Sequence, residues 1–198
     1  MLVSRSSIEL FTQWEAAWPA STIASLSSSR TPVVLHVGNF YGSGGLTTQA
    51  VEELSTRLEL SGWEVHRTSY VRSRSLRIFD MMSTIWRLRR EVNVGHVNVF
   101  SGNAFTWAEA SCWAFRRART PIVLSLHGGN LPKFAKRWPR RVGRLLNSAA
   151  AIVTPSRYLR EALTSFDDRI RLVPHAVDLP ACAFQPRESA RPRLVWVR

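Results

Sequence analysis

The chain has 198 residues, of which 45% are hydrophobic, and a formal net charge of +13. This length gives one domain with a substantial core and is short for two. No stretch approaches the roughly 20 continuous apolar residues of a membrane span, and the N-terminus lacks the apolar region of a signal peptide. The excess of positive charge predicts an anionic partner, either nucleic acid, a membrane surface or a phosphorylated ligand.

We predict that residues 1–31 form a flexible N-terminal extension. From residue 32, short apolar runs alternate with helical patterns. The predicted strands and helices are, in chain order, strand 33–38, helix 46–61, strand 63–69, helix 74–92, strand 95–100, helix 104–118, strand 121–127, a loop, helix 139–149, strand 150–154, helix 156–166 and strand 170–174. This alternation predicts an α/β domain over 32–175, a Rossmann-like, doubly wound parallel sheet with helices on both faces.

The first strand is followed by a glycine turn, Gly42-Ser43-Gly44-Gly45, and then by a helical pattern. Glycines let backbone N–H groups approach a phosphate, and the dipole of the following helix favours an anion. Neither common phosphate motif fits, because no lysine follows Gly45 and Thr47 stands where a dinucleotide fingerprint has its last glycine. The turn therefore predicts either a phosphate-binding loop or a purely structural one.

The loop after the fourth strand reads His127-Gly128-Gly129-Asn130. It lies at the carboxyl end of a predicted parallel strand, the edge of such sheets where ligands bind. Two glycines allow close approach of the backbone to a ligand. We therefore expect His127 to be functional, although a structural role in the strand is the alternative.

Two further features favour structural roles. Cys112 and Cys182 have no CxxC spacing and no ligating neighbours, so we expect two reduced thiols and no bound metal. Asp167 and Asp168 are adjacent rather than spaced as metal ligands, so we expect a solvated helix end.

Between Glu109 and Glu161 the chain has no acidic residue. Within this gap the segment 133–146 carries six cations: Lys133, Lys136, Arg137, Arg140, Arg141 and Arg144. Apolar and aromatic residues fall between them at helical spacing, a pattern typical of helices that lie on anionic membranes. The alternatives are a packed helix with a solvated charged face and a site for a phosphate-bearing lipid acceptor.

The order of these motifs resembles the N-terminal domain of glycosyltransferase family 4, whose members have the GT-B fold. The matching pieces are Gly44-Gly45 with "LSGWEV" after its helix, "PIVLSLHGGNLP", "RLLNSAAAIVTPSRYLREAL", "IRLVPHAVDL" and "RPRLVWVR". The resemblance covers residues 32–198. It implies that 176–192 form an interdomain linker and 193–198 the first strand of a second, donor-binding domain whose remainder has no counterpart in the sequence.

The resemblance implies a retaining hexosyltransferase that uses a nucleotide sugar as substrate and needs no metal or other cofactor. The N-terminal domain would bind a glycan or lipid-linked acceptor and shape the cleft between the two domains. By resemblance, His127 lies close to the transferred sugar, and Gly44, Gly45 and Arg198 lie near the donor diphosphate. Gly128, Gly129 and Asn130 complete the expected donor-phosphate or acceptor loop.

Because the family's later lysine and paired glutamates have no counterpart here, we expect this truncated chain to be inactive without a donor domain. A cytoplasmic location, with peripheral attachment to the inner membrane surface, fits the basic segment. Two other functions stay open: a non-catalytic sugar- or nucleotide-binding α/β domain and, less favoured, a basic nucleic-acid-binding protein. Basicity alone supports the last, because the chain has no helix-turn-helix, zinc spacing or RNA-binding aromatic signature.

Overall fold

The computed structural model of the chain describes residues 31–38, 46–69, 71 and 73–175. The six strands are β1 (Val33–Val37), β2 (Glu64–Thr68), β3 (Val94–Val99), β4 (Ile122–Leu126), β5 (Ala151–Thr154) and β6 (Ile170–Leu172). The helices of the described part are α1 (Leu46–Leu60), α2 (Arg74–Arg87), α3 (Asn103–Arg117), α4 (Leu131–Arg137), α5 (Pro139–Leu146) and α6 (Arg157–Leu163).

The strands form one parallel sheet in the order β2-β1-β3-β4-β5-β6. The chain first moves from β1 outward to β2, then crosses to β3 on the other side of β1. The strand order therefore reverses between β1 and β3, and in open α/β sheets the ligand crevice lies at such a point. The predicted Rossmann-like, doubly wound α/β fold is confirmed.

Helices cover both faces of the sheet. Buried side chains of α2 to α6 pack against one face of the sheet. Together with strand residues such as Leu35, Val97 and Leu124 they form a large apolar cluster. On the other face, α1 contributes Leu58 to a smaller cluster around Val34 and Val94. Alternate residues of each buried strand point to opposite faces, so the two clusters share the same strands.

The loop predicted between the fourth strand and residue 139 is wrong in part, because residues 131–137 form α4. Pro132 lies in the first turn of this helix, where the missing N–H of proline costs nothing. The backbone breaks at Trp138, with φ −130 and ψ 56, and a new helix begins at Pro139 as predicted. Since the chain turns at Trp138, the aromatic spacing across 134–145 does not describe one continuous helix.

The prediction that Asp167 lies at a solvated helix end is wrong. Asp167 is buried, and its Oδ1 and Oδ2 accept hydrogen bonds of 3.0 and 2.7 Å from the guanidinium of Arg169. Burial would raise the pKa of the Asp167 carboxyl, but the hydrogen bonds from Arg169 outweigh burial and lower it. The same guanidinium donates to the carbonyls of Leu146 and Ala149, so it ties the end of α5 to β6. Asp168 is exposed, as predicted.

Candidate functional site

The candidate site lies at the carboxyl edge of the sheet, where β4 ends and α4 begins. His127 follows β4 directly, and its backbone N–H donates to the carbonyl of Val99 over 2.9 Å. Gly128 has φ +86, a left-handed conformation that strains any residue with a side chain. The chain then exposes Gly128, Gly129 and Asn130 before α4 starts. The structure thus places four predicted site residues, from His127 to Asn130, at the predicted edge.

The His127 ring is held by residues that lie on or just beyond β3 and just beyond β6. Its Nε2 lies 3.1 Å from Oδ1 of Asn98 on β3. The ring of Phe100, just beyond β3, stacks on it with centroids 5.2 Å apart. His175, which follows β6, is nearly parallel to it, with an interplanar angle of 3° and centroids 5.9 Å apart. These contacts place a half-buried imidazole in a fixed orientation at the ligand edge.

The surroundings keep the His127 ring neutral. Burial, with a smaller effect of nearby His175, lowers the pKa of His127 to about 4. A cationic imidazole loses its hydration when it is removed from water, which favours the neutral form. At neutral pH, His127 can therefore offer one N–H donor and one lone pair to its surroundings.

A buried polar strip lies on the same sheet face, further inside the domain. Nδ1 of His96 on β3 is 2.8 Å from Nδ1 of His36 on β1, and Nε2 of His96 is 2.7 Å from Oγ of Ser125 on β4. Burial, with the charge of His127 as a second cause, lowers the pKa of His96 to about 3. Burial likewise lowers the pKa of His36, with smaller effects of His96 and Arg67. Both histidines are therefore neutral parts of the core.

The remaining predicted ligand residues lie outside the described residues. Gly44 and Gly45 immediately precede α1, whose first described residue is Leu46, and Arg198 is the last residue of the chain. The domain boundaries at 176–192 and 193–198, and nearly all of the extension 1–31, also lie there. Their predicted roles stay predictions.

Five of the six cations of the basic segment are exposed: Lys133, Lys136, Arg137, Arg140 and Arg144. Trp138 is 47% exposed in the middle of them. Arg141 differs, because its guanidinium forms a two-armed ion pair with Glu109 on α3, with Nε 2.7 Å from Oε1. The same guanidinium lies over the rings of Phe105 and Phe134. Arg141 therefore joins α5 to α3.

Sequence reasoning missed Asn98, Phe100, His175 and the pair His36–His96. Alternation along β3 places His96 and Asn98 on one face, which is a readable signal once the strand is known. The pairing of β3 with β4, which brings Asn98 beside His127, cannot be read from either segment alone. The same holds for the approach of His175 from the end of β6.

The described part of the chain offers no metal site, no membrane-spanning helix and no reactive cysteine. No group of three His, Cys, Asp or Glu side chains comes together there as a metal site. None of the helices described here has both the length and the apolar character needed to cross a bilayer. Cys112 is buried and free, and burial raises the pKa of its thiol to about 12, so the thiol is protonated and unreactive.

The chain is similar to known proteins in two comparisons. The family model described as Glycosyltransferase Family 4 matches residues 43–180, which is more than two thirds of the chain. Eleven chains of solved structures also match. One, described as the solution structure of a phosphate-loop protein, is 17% identical, covers 58% of this chain and 94% of its own, and has a TM-score of 0.35. That similarity is too low to carry an argument. No curated protein matches the sequence significantly.

Proposed function

The chain belongs to glycosyltransferase family 4, and we propose that residues 32–175 form the acceptor-side domain of a retaining hexosyltransferase that uses a nucleotide sugar. The observation that carries this proposal is the placement of His127. Its neutral ring is fixed between Asn98, Phe100 and His175 at the carboxyl edge of the sheet. Ligands of open parallel sheets bind at that edge.

The role proposed for His127 follows from the charges of glycosyl transfer. Positive charge develops on the transferred sugar as its bond to the diphosphate weakens. A neutral imidazole held in one orientation can make a polar contact with this sugar without adding a repelling positive charge. Such preorganised contacts lower the barrier because they need no rearrangement during the reaction. A role of His127 in transferring a proton, as a general acid or base, is less favoured, because the leaving phosphate can take the proton of the acceptor.

The glycine loops serve the anionic part of the donor in this proposal. Gly44 and Gly45, before α1, would approach the diphosphate through backbone N–H groups, and Arg198 would add a cation. Gly128, Gly129 and Asn130 would line the acceptor side of the same cleft. No metal is needed in this scheme, because backbone dipoles and the arginine stabilise the leaving diphosphate. Most donor contacts would come from a second domain, so turnover would require both domains.

The test is His127→Ala in a preparation that contains a donor-binding domain. We expect turnover, measured as acceptor-dependent release of nucleoside diphosphate, to fall about 100- to 1000-fold. The melting temperature should change little. His66→Ala is the matched control, because His66 is also half-buried but lies on β2 beside Glu64, away from the edge loops. Near-normal turnover with a large loss of stability would refute the role of His127.

The 198-residue chain alone should bind ligand without steady release of nucleoside diphosphate. Acceptor-dependent turnover by the purified chain would contradict the proposed need for a donor domain. Nucleotide or sugar binding that never leads to transfer, even with a donor domain present, would favour the non-catalytic binding domain instead. Tight binding of nucleic acid at physiological salt would favour the third alternative.

We further propose that the exposed cations of α4 and α5 contact an anionic membrane surface or a phosphate-bearing acceptor. Binding to anionic vesicles should weaken with salt, because exposed charges are screened beyond about 8 Å at physiological ionic strength. Lys136→Glu combined with Arg140→Glu should reduce sedimentation with anionic vesicles. Each charge near such a surface contributes about 1 kcal/mol.

Arg116→Glu combined with Arg119→Glu is the control for net charge, since both residues are exposed, Arg116 in the last turn of α3 and Arg119 just beyond it. Equal losses in the two double variants would show that total charge, rather than this segment, determines binding. Equal binding to neutral and anionic vesicles would refute an electrostatic surface. Competition by a soluble phosphate ester would distinguish a phosphate site from a lipid surface.

A further inference from the structure

Asn98 is half-buried on β3, on the sheet face that also carries His96, and it is the strand partner of Ser125. Its side-chain oxygen lies 3.1 Å from Nε2 of His127. The sequence separation of 29 residues means that this contact depends on the pairing of β3 with β4. The backbone N–H of His127 also donates to Val99, so the ring and the backbone of His127 are both fixed by β3.

The chemistry of the contact determines where the imidazole proton lies. A carboxamide oxygen has lone pairs and no proton, so it can only accept a hydrogen bond. Nε2 of His127 must therefore carry the proton that it shares with Oδ1 of Asn98. In a neutral imidazole the other nitrogen, Nδ1, then has a lone pair and no proton. Within the described part of the chain, the His127 ring makes no second side-chain hydrogen bond.

We infer that Asn98 is a positioning residue, which holds His127 with its proton on Nε2 so that Nδ1 accepts a hydrogen bond from a ligand hydroxyl. This inference deepens the proposed function and rests on it for the identity of the ligand, a sugar. A lone pair attracts a hydroxyl donor and repels a phosphate oxygen. The diphosphate should therefore lie away from His127, and the hydroxyls of the sugar should lie against it.

The neighbouring titratable groups fit this assignment. Among the described residues, His175 lies parallel to the His127 ring and lowers its pKa, and His127 in turn lowers the pKa of His96. Burial lowers the pKa of both His96 and His175. No carboxylate contacts the His127 ring there, so no anion favours its doubly protonated form. Asn98 supplies an acceptor without a negative charge, whereas an aspartate in its place would favour the imidazolium.

The experiment uses the 198-residue chain labelled with ¹⁵N, with nuclear magnetic resonance of the imidazole nitrogens at neutral pH. His127→Gln identifies the signals of His127 by their loss. We expect the proton of His127 to be on Nε2 and to exchange slowly with water. Asn98→Leu removes the acceptor at similar size, and we expect protection of that proton to fall about tenfold, the value of one hydrogen bond.

Asn98→Asp is the conservative variant that retains an acceptor oxygen. It should restore the protection lost in Asn98→Leu and raise the pKa of His127, because a carboxylate stabilises the imidazolium. The rise in pKa would report only that residue 98 lies beside the ring, whereas a purely structural role for Asn98 would leave the protection of the Nε2 proton unchanged in Asn98→Leu. A wild-type proton on Nδ1, unchanged protection in Asn98→Leu, or equal loss in Asn98→Asp would each overturn the inference.

If Asn98→Leu does not fold, the wild-type proton position and Asn98→Asp still decide the matter. The measurement needs no donor and no turnover, so its outcome is separate from that of the proposed function. A chain that has the expected proton position, but transfers no sugar when a donor-binding domain is also present, would refute the transferase and leave the positioning role of Asn98 intact.

Discussion

The two faces of the central strands differ in how their side chains change towards the carboxyl edge. The face covered by α2 to α6 stays apolar along β1, β3 and β4 up to that edge: Val33, Leu35, Val37, Val97, Val99, Ile122, Leu124 and Leu126. The face covered by α1 changes from apolar to polar along the same strands. Val34 is followed by His36, Val94 by His96 and Asn98, and Val123 by Ser125 and His127.

This difference teaches how one sheet can be both a stable core and a site. A large apolar face supplies most of the hydrophobic stabilisation. The other face can then hold polar groups near the ligand edge, provided that each finds a hydrogen bond or stays neutral. The lowered pKa values of His36, His96 and His127 are the electrostatic result of that burial. Stability and function should therefore respond to different mutations and conditions.

Acid should lower the free energy of unfolding through the histidines of the polar face, and this is the largest effect that we expect. The pKa values of His36, His96 and His127 are lower in the folded chain than the usual 6.5. Below pH 6.5 the unfolded chain therefore binds more protons, and stability falls as the pH decreases towards the folded values. Each neutral histidine contributes a slope of roughly 1 kcal/mol per pH unit in this window.

Urea unfolding at several pH values between about 4.5 and 6.5 measures this slope above the range where most carboxyls titrate. His96→Gln removes one titrating group and should make the dependence on pH less steep. A free energy of unfolding that stays constant over this range would show that the three histidines are not buried neutral in solution.

A substitution that creates a cavity tests how much the apolar face contributes to stability. Leu124 is fully buried on β4 in the large cluster, and Leu124→Ala should lower the free energy of unfolding by about 2–5 kcal/mol. Leu60→Ala is the control, since Leu60 at the end of α1 is 84% exposed and should cost less than about 0.5 kcal/mol. Chemical denaturation at neutral pH measures both. Similar losses in the two variants would contradict the assignment of the core.

Adding a methyl group to the packed core is a second test of the apolar face, with a smaller expected effect. A methyl group at Gly95 on β3 would lie 2.6–2.7 Å from ring atoms of Phe115 on α3. Gly95→Ala should therefore destabilise the fold by about 1–3 kcal/mol. Phe115→Leu should relieve part of this loss, so the double variant should be less destabilised than the sum of the single changes.

Gly129→Ala is the matched control for Gly95→Ala, because its added methyl group would meet no atom within 4 Å. Its stability should stay near that of the wild type. If Gly95→Ala is as stable as Gly129→Ala, the close approach of Phe115 to β3 is wrong.

The fold was readable from the sequence more fully than the site. The strands follow from short apolar runs such as Val33-Val34-Leu35, and the structure moves their ends by only a residue or two. Helix α4 was missed because a glycine pair and Pro132 mark a loop more strongly than seven residues mark a helix. His127 was found from its position after a strand and before two glycines. Asn98 and His175 were not found, because only strand pairing brings them to His127.

A pair of serines gives the smallest and most specific contrast between the two sides of the molecule. Ser125 on the polar face shares a hydrogen bond of 2.7 Å with Nε2 of His96. Ser111 on α3, on the side of the apolar face, is also buried, but its hydroxyl has no hydrogen-bond partner in the described structure. Ser125→Ala should cost about 1 kcal/mol or somewhat more, because it leaves a buried imidazole nitrogen without a partner.

Ser111→Ala removes a hydroxyl that gains nothing from burial, so it should be neutral or slightly stabilising, and alanine also favours the helix. The two substitutions delete the same atom, so differences in the unfolded chain largely cancel. Denaturation curves of both variants, measured under identical conditions, give the sign of each change. If both serine variants were destabilised equally, the hydroxyl of Ser111 would have a partner in solution. If Ser125→Ala were neutral, the contact between Ser125 and His96 would not stabilise the polar strip. The two faces would then differ in how their side chains pack and not in the energy of their hydrogen bonds.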